Sequence, residues 1–113
     1  MINSLGAGIS GLRAMGTRLD VASNNVANAN TDGYKKRRVQ MEEGINGGVT
    51  SRVTKTDTPG DRVQDQGGER ELSNVDLAEE MVEAIATKAV YGANTRLIRT
   101  EDEMTGSVLD IVG

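Results

Sequence analysis

Apolar residues return every seven positions through the first quarter of the chain. Leu5, Leu12, Leu19 and Val26 form one line, with Ile2 and Ile9 on the adjoining position. That period predicts a helix from about Asn3 to Asn28 carrying a coiled-coil-like stripe. Gly16 and Ser23 fall on the same stripe and permit close approach of another backbone. Gly6, Gly8, Gly11 and Gly16 each cost ~1 kcal/mol relative to Ala in a helix interior. The helix is therefore expected to be weak alone and ordered when packed. Asn28 to Tyr34 stops it, because Asn and Asp bond nearby backbone groups and Gly33 accepts positive φ. Val39 and Met41 then alternate with polar residues, Asn46-Gly47-Gly48 signals a turn, and Val49 to Lys55 alternates again. This predicts a small β-hairpin. Thr58-Pro59-Gly60-Asp61 is a further turn, and residues to about Gly68 read as an exposed loop.

A second helix is expected from near Ser73 to about Asp110, some ~55 Å at 1.5 Å per residue. Ser73-x-x-Asp76 resembles a capping box with Asp in place of Glu, and Asp76, Glu79 and Glu80 suit a helix N-terminus. Its apolar positions follow elevens: Val82, Ala93, Met104; Ala86, Leu97, Val108; Ala89, Thr100, Ile111. An eleven-residue repeat drifts oppositely to a heptad. So broad an apolar sector predicts contact with more than one neighbouring helix. The expected architecture is mainly α: long N- and C-terminal helices pair as a coiled coil, with a small β-hairpin and loop between them. By length it is one structural domain, in three segments: residues 1–33, 34–72 and 73–113.

Composition sharpens this picture. Only 2% of the 113 residues are aromatic, and Phe and Trp are absent. Ala, Gly, Val, Leu, Ile and Met must build the core, and at ~25 cal/mol per Å² of buried apolar surface an isolated fold of this kind is marginal. Neighbouring copies or homologues are expected to supply the missing burial. There is no Cys and no His, which removes disulfides, thiol nucleophiles and imidazole chemistry. No apolar run approaches the ~20 residues needed to span a bilayer, so direct membrane insertion is not expected. A basic region before an apolar core is lacking, so neither is a cleaved secretory signal. The net charge of -4 argues against general nucleic-acid affinity.

Three motifs invite chemistry and are better explained without it. Gly6-Ala7-Gly8-Ile9-Ser10-Gly11 fits G-x-G-x-x-G, but a dinucleotide fold needs a strand before the glycines and a sheet behind them. Glu79 and Glu83 lie one turn apart, near Glu80 and Asp76, yet no His or second carboxylate-bearing helix completes a metal cage. A solvated helix start accounts for them. Lys35-Lys36-Arg37-Arg38 has no interleaved aromatics for base stacking. It reads as a solvated strand edge or as the complement of acidic neighbours, the start of the second helix among them, within or between subunits. No catalytic, cofactor or metal residues are assigned, and no enzyme activity is expected. Asn24, Asn25, Asn28 and Asn30 form either a polar helix end or a junction whose amides fix register between subunits; Asn94 mirrors them in the second helix.

At Asn24-Asn25-Val26-Ala27-Asn28, Thr31-Asp32-Gly33-Tyr34, Asn74-Val75-Asp76-Leu77, Glu80-Met81-Val82, Tyr91, Ala93, Asn94, Glu103-Met104 and Leu109, the chain resembles the rod and hook family, the axial proteins of the bacterial flagellum. The shortness, with Gly47-Gly48-Val49 and Thr58-Pro59, looks like a proximal rod protein. The Ser73 to Met81 run looks equally like the distal rod and hook. The resemblance implies a structural rod subunit whose terminal helices pair and line a hollow helical tube. It implies copies of itself and other rod and hook axial proteins as partners. It also implies passage through the flagellar type III export apparatus without cleavage, and residence in the periplasm-spanning basal body. Within that frame Leu5, Leu12, Leu19, Val26, Val82, Ile85, Ala89, Ala93 and Leu97 are the packing residues expected, and Asn25, Asn28 and Asn94 the directional ones. A soluble helical adaptor or export chaperone, binding a partner helix in the cytoplasm, is the alternative.

Overall fold

The computed structural model describes residues 2–45 and 47–112, with side chains over 5–45 and 47–109. Helix α1 spans Ile2–Ala27, strands β1 and β2 span Arg37–Glu43 and Val49–Lys55, strands β3 and β4 span Arg62–Asp65 and Gly68–Glu71, and helix α2 spans Leu77–Val112. Two long helices thus enclose a short β segment in sequence. That segment holds two antiparallel hairpins rather than the single one expected.

The first hairpin lies where the alternation placed it, with Val39 opposite Val53 and Met41 opposite Ser51. Its turn closes through Gly44 and Gly48, whose backbone N and O lie 2.6 Å apart; Asn46 of the expected turn lies outside the described residues. The second hairpin occupies what reads in sequence as exposed loop. Val63 is its one apolar strand residue. The turn is set instead by Gly68 at φ 105 and by Asp65 Oδ1, which accepts from Gly67 N at 2.9 Å. The cross-strand pair Arg62–Glu69 (3.2 Å) reinforces it. A hairpin made of charge and turn chemistry leaves no apolar alternation to read.

α2 begins four residues later than expected. Asp76 is its cap, since Oδ1 accepts from Glu79 N three residues on, at 3.3 Å. Ser73 faces away, and its hydroxyl donates to the Ala29 carbonyl beyond the end of α1. The capping residue is therefore the aspartate, and the serine ties one helix end to the other helix's start.

α1 and α2 pack side by side and antiparallel: Gly8 lies beside Ile98, Gly11 beside Asn94, and Arg18 beside Glu83. Gly11, Ala14, Ala22 and Asn25 are buried on α1, and Glu80 and Thr87 on α2. Ala14 (2% exposed) and Ala22 (3%) are the only buried apolar side chains among the described residues. The heptad of α1 is real, but the seam follows 11, 18 and 25, one residue before the leucine line at 12, 19 and 26. One residue is ~100° around a helix, so the larger side chains are turned out of the seam. Gly8 and Gly11 provide the close approach; a Cβ at Gly16 would meet nothing within 4 Å. The molecule measures 77 × 25 × 14 Å with a radius of gyration of 19.9 Å, against ~13 Å for a compact domain of about this length. No helix is long and apolar enough to cross a membrane among the described residues.

Gly60 is a required glycine. A Cβ there would collide with the Leu72 carbonyl oxygen and crowd the Ser73 oxygen, both of them backbone. Gly60→Ala is expected to destabilise the chain by ~1–3 kcal/mol, the usual cost of overpacking, read as an earlier midpoint in chemical denaturation with an unchanged slope.

Candidate assembly surface

Two asparagines hold the segment that leaves α1. Asn25 is fully buried. Its Nδ2 donates to the Arg37 carbonyl at 2.9 Å, and its Oδ1 accepts from Arg37 N at 3.0 Å and from the Tyr34 hydroxyl at 3.0 Å. An amide is the right group here because it donates and accepts at once, completing the backbone pairing that β1 lacks at its first residue. Asn74 works from the other side. Its Oδ1 accepts from Lys36 N at 2.6 Å, and its Nδ2 donates to the Thr56 and Thr58 carbonyls at 2.8 and 2.9 Å. Residues 34 to 37 are thereby clamped between the end of α1 and the approach to α2. Asn28 acts only locally: Nδ2 donates to the Asn24 carbonyl at 2.9 Å and Oδ1 accepts from Thr31 at 3.2 Å.

Ion pairs join the first hairpin to α2. Arg38 donates to Glu80 at 3.1 Å and also pairs with Glu79; Lys36 lies 3.9 Å from Glu79, and Arg18 Nε 3.0 Å from Glu83. The acidic start of α2 is thus the complement of the basic run, within one chain. Glu80 is not solvated as a helix-start acid would be, being 1% exposed. A buried carboxylate needs a partner, since removing one leaves an uncompensated charge. The cleft around this cluster, about 240 Å³, is lined by Arg18, Ala22, Arg38, Val39 and Glu83 among others. These carboxylates are occupied with arginines and lysine, and no group of three His, Cys, Asp or Glu is arranged to hold a metal among the described residues.

The apolar residues singled out from the sequence lie elsewhere. Leu5 and Val26 are exposed and Leu12 and Leu19 half-buried on α1; Val82, Ile85, Ala89, Ala93 and Leu97 are exposed on α2. The structure does not gather them into a core. Asn94 is half-buried, with its Nδ2 3.3 Å from where a Gly11 Cβ would stand. Sequence reasoning offered the acidic start of α2 as a complement of the basic run, and Arg38 with Glu79 and Glu80 is that pairing; it gave Asn74 no contact and read Glu80 as solvated. Charge complementarity suggested the ion pairs but not which acid is buried, and nothing in spacing signals Asn74, whose partners lie 16 to 38 residues away in the chain.

Replacing Asn25 by Ala would orphan the Arg37 N–H and carbonyl, at an expected cost of ~1–3 kcal/mol. Tyr34→Phe removes one bond and should cost ~0.5–1.5 kcal/mol. Amide exchange at Arg37 measures both, and equal effects would contradict the arrangement. A separate corner responds to pH. Glu71 accepts from Lys35 Nζ at 2.5 Å and from Gly60 N at 2.9 Å. The lysine bond first, and then the Gly60 amide, hold its carboxyl below the ordinary value, against the opposing effect of burial. A depressed folded-state pKa means that the contribution is complete above the unfolded-state value and is lost as pH falls through the folded one. The Gly60 amide signal should therefore shift only below the ordinary glutamate range, and Glu71→Gln should abolish that step.

With this geometry in place, relatives become informative. Residues 5–35 match the family described as flagella basal body rod protein, and residues 66–111 match the flagellar basal body rod FlgEFG protein C-terminal family. The first match ends at the Asn25–Tyr34 junction, and the second takes in Asn74, Glu80 and nearly all of α2. The flagellar basal-body rod protein FlgC of Escherichia coli O6:H1 is 31% identical over 114 residues, covering 84% of this chain and 85% of that protein. The flagellar hook protein FlgE of Borreliella burgdorferi is 43% identical over 60 residues, 53% of this chain and 14% of its own length. The flagellar basal-body rod protein FlgG of Bacillus subtilis strain 168 is 51% identical over 43 residues, 38% of this chain and 16% of its own. The chain spans less than a fifth of these last two relatives but most of FlgC. With both family models matched and FlgC covered over more than four-fifths of its length at 31% identity, the chain belongs to the flagellar basal-body rod and hook protein family, and within it is FlgC-like.

Proposed function

We propose that the chain is a structural subunit of the flagellar basal-body rod, building a hollow helical axial tube through its two terminal helices. Its chemistry is mechanical rather than catalytic. The observation that carries this reading is the mismatch between core and surface. Among the described residues two alanines are the buried apolar side chains, while Leu5, Ile9, Val82, Ile85, Leu97 and Met104 stand exposed. Exposed apolar area of this extent marks an interaction surface, and here it follows both helices. The helix pair tightens into a coiled coil as neighbours cover its outer faces. Leu5, Leu12, Leu19 and Val26 pack from α1, and Val82, Ile85, Ala89, Ala93 and Leu97 from α2. Asn25 and Asn28 hold the junction rigid, and Asn94 sets the spacing of the two helices.

The partners in this reading are further copies and other rod and hook axial proteins. The subunit reaches the periplasm-spanning rod through the flagellar type III export apparatus, without cleavage. Support comes from family membership and from the weakness of α1 alone, two of whose helical glycines, Gly6 and Gly16, gain nothing within the chain.

Ile85 is 69% exposed, so Ile85→Asp should leave the stability of the isolated chain within about 0.5 kcal/mol of the parent. The same substitution, and Leu12→Asp, should abolish recovery in purified basal bodies and motility, with expression unchanged. Normal motility in both strains, or a chain confined to the cytoplasm in wild-type cells, would defeat the proposal.

A further inference from the structure

The first hairpin lies across α1 and is fixed to it at two corners. Both β1 and β2 pack against α1, and neither packs against α2 among the described residues. At the base, Asn25 bonds the N–H and the carbonyl of Arg37. At the tip, the Ser10 hydroxyl accepts from Val49 N at 2.9 Å and donates to the Ala7 carbonyl at 2.8 Å. The register makes these opposite corners. Thr56 N donates to the Lys36 carbonyl and Gly44 N to the Gly48 carbonyl across the hairpin. In an antiparallel ladder the alternate pairs, Arg37 with Lys55 and Glu43 with Val49, therefore turn their backbone groups outward. Arg37 is on the outer edge of β1 and Val49 on the outer edge of β2, and α1 crosses from one to the other. The spans agree: Ser10 and Asn25 are ~22 Å apart at 1.5 Å per residue, and β1 is ~20 Å long at ~3.3 Å per residue. The tip is also shaped to its seat. Gly48 has no positive φ that would require glycine. Yet a Cβ there would stand 2.9 Å from Ser10 Oγ, and Ser10 supplies the only atoms it would meet within 4 Å.

We propose that this hairpin is a splint for α1: braced at Ser10 and Asn25, it holds residues 10–25 helical within the single chain, and Ser10 marks where that support ends. The inference goes beyond the rod reading and does not depend on it. The stretch needs support, since Gly11 and Gly16 each cost it ~1 kcal/mol relative to Ala, and helices are marginal in water without tertiary packing. α2 flanks α1 on one side, and the hairpin supplies a second. Asn25 alone would be a pivot about which the hairpin could swing. An attachment at the diagonal corner removes that rotation. Ser10 is a positioning residue of an unusual kind for a helix interior. A serine there commonly returns its hydroxyl to a preceding carbonyl and weakens the helix slightly. Here the same oxygen also receives an edge-strand amide, so the helix gains an external tie at the residue that would otherwise loosen it. Ahead of Ser10 the hairpin has turned back, and Gly8 lies beside Ile98 of α2.

Amide hydrogen exchange on the purified full chain tests this, because it reads local opening residue by residue. Ser10→Ala should speed exchange at Val49 and, with it, at the amides of Ala14 to Asn24 by about tenfold, the scale of one lost hydrogen bond. Arg62 to Glu71, in the second hairpin, should keep their parent rates. Gly48→Ala should act like Ser10→Ala, by crowding the Ser10 hydroxyl off its seat. Once that hydroxyl is gone, the nearest atom is the Cβ of residue 10 at 3.4 Å, an ordinary contact. Adding Gly48→Ala to Ser10→Ala should therefore change little. Such non-additivity separates a seated tip from two independent weakenings. Faster exchange at Val49 with α1 unchanged would mean that the hairpin rides on α1 without bracing it, and would overturn the proposal. So would additive effects of the two substitutions. An equal rise at Arg62 to Glu71 would mark unfolding of the whole chain rather than release of a brace, and would overturn it too.

Discussion

Close approach of two helices is bought here with side-chain size. Gly8, Gly11, Ala14 and Ala22 let α1 lie against α2 near Ile98, Asn94 and Glu83, but they bury little apolar area, and at ~25 cal/mol per Å² little area means little driving force. Geometry is therefore entrusted to directional polar contacts. Asn25 and Asn74 clamp residues 34 to 37, and Arg38 binds the first hairpin to Glu79 and Glu80. Hydrogen bonds add modest net stability yet are costly to break once buried. They define a shape well even where they stabilise it weakly.

That division leaves the helix pair with its bulky residues outside, so it does not close an apolar interior by itself. The hairpins and junction have their ties within the chain, many of them between residues far apart in sequence. Among the described residues no buried side-chain polar atom lacks a partner. One end of the chain thus presents a defined body, and the other presents two apolar stripes of different period on α1 and α2.

Much of this was legible beforehand, and the failures are specific. The seam of α1 against α2 runs through Gly11, Arg18 and Asn25, one residue from the apolar line, which leaves Leu12 and Leu19 half-buried and Val26 exposed. Periodicity identifies a stripe, not what covers it. The first hairpin followed from alternating Val39, Met41, Val49 and Val53. The second had no alternation, since Arg62, Gln64, Glu69 and Arg70 are polar on both faces. The start of α2 was misplaced because Ser73 and Asp76 both have capping chemistry, and only the position of Ala29 decides which one caps. Asn25 stood out as part of a polar cluster, although its partners turned out to be Tyr34 and Arg37 of the same chain. The pairing of Arg38 with the acidic start of α2 was foreseen from charge, but the burial of Glu80 and the contacts of Asn74 carried no advance signal.

By itself, the order of residues determined the two helices, their lengths to within a few residues, the first hairpin, the thin core and the family. Those depend on local propensity, period and composition, which are properties of neighbours in sequence. The tertiary structure alone decided which face of each helix turns inward, which capping residue is used, and which acid receives Arg38. Each of these is a choice among near-equal local options, settled by contacts between segments far apart in the chain.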